Sequence, residues 1–499
     1  MKLRTTRIIK AIVFCVLVLL MTWRITSLFT PKWDDTWKAH RTQNSFYALE
    51  RDSVDVLFLG SSAVGTSVDP FVLYNEYGIS AFNLNADGQL LNGTYHWLVE
   101  ALKTQSPALV VVETAAFARQ TSARDNVARK SYDHMNWSLN KIGFAFDFSD
   151  NGELKDTSLL SLLFPLYAYH DRWSTLANSD YEFLYRLMTG HTRGFVIRTD
   201  QVKDSSFGKK IIEYDGFYPD DEAGYDPLDF NGDALDRILG LCAEKGIPVL
   251  LFKACDSQWT AGHHNAVKAV ADEYGVGFLD LNEKDVMADA GIVFAEDAND
   301  RRHMNMHGAE KISRYLGRYI KEWYVTADRR NDERISEMMD REMPEYRLSV
   351  ENGERRFIRD FDTYLEEGLP ERYAVIIEGS GFKGTLTEDQ REILRSAGLT
   401  DEFLDAAEKG SNLIGVFGNT EENVFLYSDQ EIKAAGKLTT GQIYRITSGD
   451  GSSVTVNESV ITIEENVLNV LVYDTELSEM ADHFCVYYDK EQDGAVLQR

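Results

Sequence analysis

The chain has 499 residues, 52 Lys and Arg against 80 Asp and Glu, and a formal net charge of −28. With 44 % hydrophobic residues and only 9 prolines it is neither disordered nor fibrous, and it is long enough for two or three domains. So acidic a surface argues against nucleic acid as a partner, and four cysteines exclude a disulfide scaffold.

The charge is unevenly placed. Residues 1–38 carry seven basic and two acidic residues, net +5, which leaves −33 of the −28 total for the rest. The basic start (Lys2, Arg4, Arg7, Lys10) runs into the apolar stretch Ala11–Trp23. That is the pattern of a signal-peptide core or a signal anchor. No small-x-small cleavage site follows, and Ile8–Phe29 is long enough to span a bilayer if Lys10 and Arg24 snorkel outward. Residues 1–30 are therefore expected to be an uncleaved single-pass anchor, with the basic flank inside and the acidic bulk outside the cytoplasm. Cleavage would instead release a secreted protein. Cys242, Cys255 and Cys485 then lie outside as an odd, sparse set, expected as buried thiols.

Past the anchor, strands alternate with helices. Val54–Leu59, Ala81–Asn85, Ala108–Glu113, Pro248–Lys253 and Gly277–Leu281 read as buried strands. Pro70–Tyr77, Leu90–Thr104, Gly232–Lys245, Asn265–Tyr274 and His307–Tyr324 read as helices. The expectation is an α/β domain over residues 50–325, with a parallel sheet covered on both faces and functional residues at the carboxyl ends of its strands. An insertion at about 117–231, with helical stretches at Ser158–Tyr169 and Tyr181–Met188, is expected to cap the domain and face substrate.

Gly60-Ser61-Ser62 falls where the first strand ends, which exposes a serine and its backbone N–H at the top of the sheet. Alone, this is also the sequence of a turn or a helix cap. Downstream, Asp300 and His303 precede the last helix at a spacing that lets the carboxylate accept from imidazole Nδ1, leaving Nε2 to take a serine proton. Asp297 is a competing acid at a spacing of six. His303 and His307 could share a metal, but a third ligand and the zincin glutamate are missing, so no metal or other cofactor is expected. Phe164–Trp173 gathers aromatics with His170, Arg172 and Trp173, types suited to sugar contact though also common in ordinary packing.

These blocks resemble the SGNH (GDSL-like) hydrolases. Leu59-Gly60-Ser61-Ser62 matches the family's first block and makes Ser62 the implied nucleophile, with its backbone N–H in the oxyanion hole. Asp300, His303, Asn305, Gly308 and Ala309 match the last block, and Gly88 stands at the oxyanion glycine of the second. The third block departs: Glu113-Thr114-Ala115-Ala116 replaces Gly-x-Asn-Asp, so the oxyanion asparagine is missing. The resemblance implies a flavodoxin-like three-layer fold. Its layout is most similar to the membrane-anchored, extracytoplasmic branch, which includes the alginate-acetylation proteins and the D-alanylation protein of teichoic-acid operons. What it implies is serine O-acyl transfer or ester hydrolysis on a cell-envelope polysaccharide or teichoic-acid-like polymer, beside a membrane-bound O-acyltransferase. The missing asparagine leaves open a non-catalytic glycan-binding or assembly protein on a degenerate scaffold.

Residues 326–355 are charge-dense and expected to be a solvated helix or linker. Beyond them, Tyr373–Glu378, Leu413–Phe417, Val424–Tyr427, Ser453–Val456, Val460–Ile463 and Val467–Tyr473 read as strands, and Thr387–Ala397 and Asp401–Lys409 as helices. Residues 356–499 are thus expected to form a β-rich α+β domain. It resembles the interleukin-like EMT-inducer type in stretches such as Tyr373-Ala-Val-Ile-Ile377 and Leu468–Asp474. That resemblance implies fold alone, and a glycan-binding role is an expectation from architecture.

Overall fold

The computed structural model describes residues 2–33, 37–118, 125–150, 157–185, 187–202, 214–216, 225, 229–382, 384–457, 459–489 and 494–499. It divides into two compact units, Met1–Pro344 and Glu345–Arg499.

In the first unit, β1 (Val56–Gly60), β2 (Ala81–Asn85), β3 (Leu109–Glu113), β4 (Val249–Lys253) and β5 (Gly277–Asp280) form a parallel sheet in the order β2-β1-β3-β4-β5. Each lies within two residues of the bounds read from the sequence. Alternate side chains feed two cores, as a strand buried on both faces requires. Leu57, Leu59, Val110, Val112 and Leu251 enter one, against the helices Leu91–Ala101, Asp229–Lys245 and Ala261–Tyr274. Val56, Phe58, Val111, Leu250 and Phe252 enter the other, against Pro70–Tyr77 and Met306–Trp323. The helix Ala39–Ala48, unforeseen in the sequence, buries Ala39, His40 and Phe46.

The N-terminal helix Lys2–Phe29 contains an exposed stretch, Arg7–Phe29, long and apolar enough to cross a membrane. Its last carbonyls would be orphans, and basic side chains satisfy them. Lys32 Nζ donates to the Ser27 and Thr30 carbonyls, and Arg172 Nη1 to the Phe29 carbonyl at 2.6 Å. Burial pushes the Lys32 ammonium down to about 8. The insertion therefore does something the sequence did not announce. Its helices Leu159–Leu163 and Pro165–Tyr169 split at Phe164, and the second of them packs with Asn178–Tyr185 against the membrane-type helix. Tyr132, Phe144 and Phe148, also from the insertion, extend the first core. Its stretches at 119–124, 151–156, 203–213 and 217–224 lie outside the described residues.

The charged stretch 326–355 is not a free linker. Arg329 makes a bidentate pair with Asp55 at 2.6–3.0 Å, and Arg334 donates to the Arg51 and Asp52 carbonyls, both within the first unit. The helix Glu333–Arg355 follows, and the division between the units falls within it.

The second unit has three layers. A six-stranded antiparallel sheet runs β15-β14-β13-β6-β7-β8, where β6 is Tyr373–Gly379, β7 Asn412–Gly418, β8 Val424–Ser428, β13 Leu468–Asp474, β14 Glu479–Asp489 and β15 Gly494–Gln498. A four-stranded sheet runs β12-β11-β10-β9, from Ser459–Ile461, Ser453–Val456, Ile443–Ser448 and Ile432–Lys437. Val375, Ile377, Val470 and Val472 face the helices Phe361–Glu366 and Asp401–Lys409, whereas Ala374, Ile376, Leu471 and Tyr473 face the smaller sheet. The sequence reading missed β9, β10, β14 and β15. Cys242, Cys255 and Cys485 are free and buried.

At the carboxyl ends of β3 and β4, Glu113 and Lys253 form a fully buried ion pair at 3.4 Å. Burial opposes the Lys253 charge, but Glu113, Asp256 and Asp280 outweigh it and raise its affinity for a proton. Removing one partner of such a pair strands the other charge. Lys253→Met is expected to destabilise the first unit by about 3–5 kcal/mol, with Glu113→Leu in the same chain recovering most of the loss, as read from denaturant midpoints.

Candidate active site

Three side chains from two ends of the α/β unit meet above the sheet. Ser62 Oγ lies 2.9 Å from His303 Nε2. His303 Nδ1 lies 2.9 and 3.0 Å from the two Asp300 carboxylate oxygens. The hydrogen-bonded chain is hydroxyl, imidazole, carboxylate, as the sequence spacing predicted.

The first strand sets the serine. β1 ends at Gly60, whose φ is +155°, and a Cβ there would stand 2.8 Å from Glu113 Cβ. Only glycine lets β1 pass this close to β3 and turn at once into a helix. Ser61 caps that helix, its hydroxyl accepting from Ala63 N, and Ser62 is its first residue. Ser61 is thus engaged as the helix cap, and Ser62 is the serine that meets the imidazole.

The last block sets the acid and the base. Asp300 Oδ1 also accepts from the Arg302 and His303 backbone N–H groups at 2.9 and 3.1 Å, and Oδ2 from the Asn299 amide at 3.3 Å. Burial by itself would raise the Asp300 carboxyl, but the His303 hydrogen bond and charge, with these N–H donors, hold it down at about 2. It is ionised at neutral pH and suited to orient the imidazole. Asn305 is the cap of the helix Met306–Trp323: its Oδ1 accepts from His307 N and Gly308 N, both at 3.1 Å, while its Nδ2 donates to the Glu296 carbonyl at 2.7 Å. A Cβ on Gly308 would stand 2.4 Å from the Asp297 carbonyl, and Ala309 is wholly buried. The spacing Asp-x-x-His-x-Asn-x-x-Gly-Ala thus has a physical reason at every fixed position. Asp297 is engaged elsewhere, with Lys311 at 2.6 Å and Val293 N at 2.7 Å.

Gly88 lies in the turn after β2, in the left-handed region at φ +66°. β1 and β2 are paired with Gly60 opposite Asn85, so the Ser62 and Gly88 turns leave adjacent strand ends. At the third block Ala115 stands in the asparagine's place, after Glu113, which ends β3 in its buried pair with Lys253, and Thr114, which is tied to the Phe252 carbonyl through its N–H and hydroxyl.

The stretch proposed for sugar contact is not gathered at this site. Arg172 is engaged with the Phe29 carbonyl and Asp180, His170 Nδ1 with the Tyr167 carbonyl at 3.0 Å, and Trp173 is exposed. Two residues absent from the sequence reading are present instead. The Trp37 ring lies 4.9 Å from the His303 ring, and the Arg198 guanidinium 5.2 Å from Trp37. Arg198 stands in a strap that ties β2 to the helices after Ser61 and Asn305: Arg193 O accepts from Asn83 N, Val196 N donates to Gly65 O, and Arg198 O accepts from Met306 N. No motif marks either residue. The available signal was Trp37's position just beyond the apolar helix, which ends at Phe29.

Neither a protein-family model nor a curated protein matches this chain.

Asp300 is held below its ordinary value, so its contribution to stability is complete above about pH 4 and is lost as pH falls toward 2. Replacing it with Asn removes that dependence. The loss of unfolding midpoint between pH 5 and pH 3 is expected to be smaller in Asp300→Asn than in the wild type.

Proposed function

We propose that the chain is a membrane-anchored, extracytoplasmic serine O-acyltransferase or esterase of the SGNH type, acting on a cell-envelope polysaccharide. The observation that carries this reading is the hydrogen-bonded series Ser62–His303–Asp300 at the carboxyl ends of a parallel sheet. Its support beyond that series is the strand order and the physical fit of the first and last blocks. The basic flank before Arg7–Phe29 supports an inside N-terminus, and with it an extracytoplasmic α/β unit in this reading.

In the first half-reaction His303 Nε2 takes the Ser62 Oγ proton as Oγ bonds to the acyl carbonyl carbon. The carbonyl becomes an oxyanion, with the Ser62 and Gly88 backbone N–H groups as its proposed donors. Collapse breaks the bond to the donor's alcohol oxygen, which leaves with the proton from His303, and the acyl group remains on Ser62. In the second half-reaction a sugar hydroxyl or water gives its proton to His303 and attacks the acyl carbon. Ser62 then leaves and recovers that proton. Asp300 stays ionised throughout and holds Nδ1–H. The acyl group, acetyl or D-alanyl in class, reaches the site from a membrane-bound O-acyltransferase in this reading, and the acceptor is the polysaccharide or a teichoic-acid-like polymer.

The missing third-block asparagine, with Ala115 in its place, favours the second reading, a glycan-binding or assembly protein. Fluorophosphonate labelling of the full chain separates the two. A Ser62-dependent adduct, with acetyl-ester turnover reduced about 10⁴-fold in Ser62→Ala and about 10³–10⁴-fold in Asp300→Asn, is expected for the enzyme. Absence of both adduct and turnover in the wild type would leave the binding reading.

A further inference from the structure

The second unit contains a cavity of about 810 Å³ that the catalytic reading does not use. It lies on the helical face of the six-stranded sheet, with Val375, Ile377, Val470 and Phe484 as its floor and Leu394 and Leu404 among its walls. The other face of the same sheet is closed by the four-stranded sheet, so the unfilled space belongs to one interface only. The reason is local. The helix Glu388–Ser396 fully buries only Gln390, and its apolar residues Ile393 and Leu394 are half-covered where they meet the cavity.

A volume of this size falls in the ~300–1,000 Å³ range of ligand cavities. The cavity opens to solvent beside Leu369, and its apolar lining leaves hydrocarbon surface in contact with water when nothing apolar fills it. Water would find few polar partners along a lining of Leu, Ile, Val and Phe. The occupant is therefore apolar over most of its length. A sugar, the ligand expected from the architecture of this unit, has the wrong chemistry for it. Among the described residues of the lining, the charged ones are two acids, Glu366 and Glu371, both exposed, beside the exposed Leu369. An anionic headgroup at that opening would be repelled. The candidate membrane span Arg7–Phe29 makes lipid the abundant apolar material around this chain.

We propose that the cavity of the second unit binds one hydrocarbon chain of a lipid with an uncharged headgroup, the chain lying between sheet and helices and the head remaining outside beside Glu366 and Glu371. This is independent of the Ser62 chemistry and survives its failure.

The test uses the full chain in phosphatidylcholine nanodiscs doped with monopalmitoylglycerol bearing a diazirine in its acyl chain, and in a parallel arm with the corresponding diazirine palmitic acid. After photolysis, labelled peptides are mapped by mass spectrometry. The expected result is label from the glycerol ester within residues 361–407 or 468–486, displaced by unlabelled monopalmitoylglycerol and retained in Ser62→Ala. Ala407→Trp, which fills the cavity, is expected to reduce it about fivefold or more. Leu369→Glu, at the exposed opening, gives the same reading without touching the core. Label confined to Arg7–Phe29, label unmoved by both variants, or stronger label from the acid than from the ester would overturn the proposal.

Discussion

The bond between Ser62 Oγ and His303 Nε2 spans 241 residues of sequence. Neither group brings the other into place: β1 delivers the serine, and the turn before the capped helix Met306–Trp323 delivers the histidine. The constraint behind both is the parallel sheet. With both faces covered, strands such as Val56–Leu59 and Leu109–Val112 carry only apolar side chains inside it, and polar chemistry is displaced to their carboxyl ends. Gly60 is the hinge of that arrangement, because its missing Cβ lets β1 run against Glu113 and release the chain into a helix at once. A sheet that did not close at this point would hold Ser62 and His303 apart whatever their identities.

The same economy runs through the last block. Asn305 caps a helix, Gly308 admits the Asp297 carbonyl and Ala309 packs in the core, while Asp300 is held by the backbone N–H groups of Arg302 and His303 as well as by the imidazole. The acid is therefore preorganised by its own loop, and the imidazole is oriented by the acid. Trp37 on the His303 ring adds a contact from the short segment that follows the membrane-type helix. In the proposed anchored reading, the contact of Trp37 with His303 sets the proposed base close in sequence to the membrane span, which suits a donor delivered at the bilayer.

Much of this was legible because it rests on local rules. Apolar runs ending in Gly-Ser-Ser gave β1 its bounds, and Asp, His and Asn at fixed short spacings declared a turn and a cap. What escaped the sequence depends on partners far away. The Glu113–Lys253 pair joins residues from two strands, and neither position alone distinguishes a buried ion from a strand-end charge. Arg172 looked like a sugar contact because nothing in its neighbourhood reveals that it caps Phe29. β9 alternates half-buried with exposed residues over Ile-Lys-Ala-Ala-Gly-Lys, and no apolar run marks it. β14 carries the buried Asp482, whose charge is met by Arg499 at the far end of the chain, 2.6 Å away.

In the proposed reaction Ser62 carries an acyl group. Intact and peptide mass spectrometry of the full chain, quenched in acid after exposure to an activated acetyl ester, tests it directly. One acetyl group is expected on the peptide holding Ser62, formed far more slowly in His303→Ala and absent from Ser62→Ala. No acetylated Ser62 under any quench time, or equal acetylation of Ser62→Ala on that peptide, would contradict it.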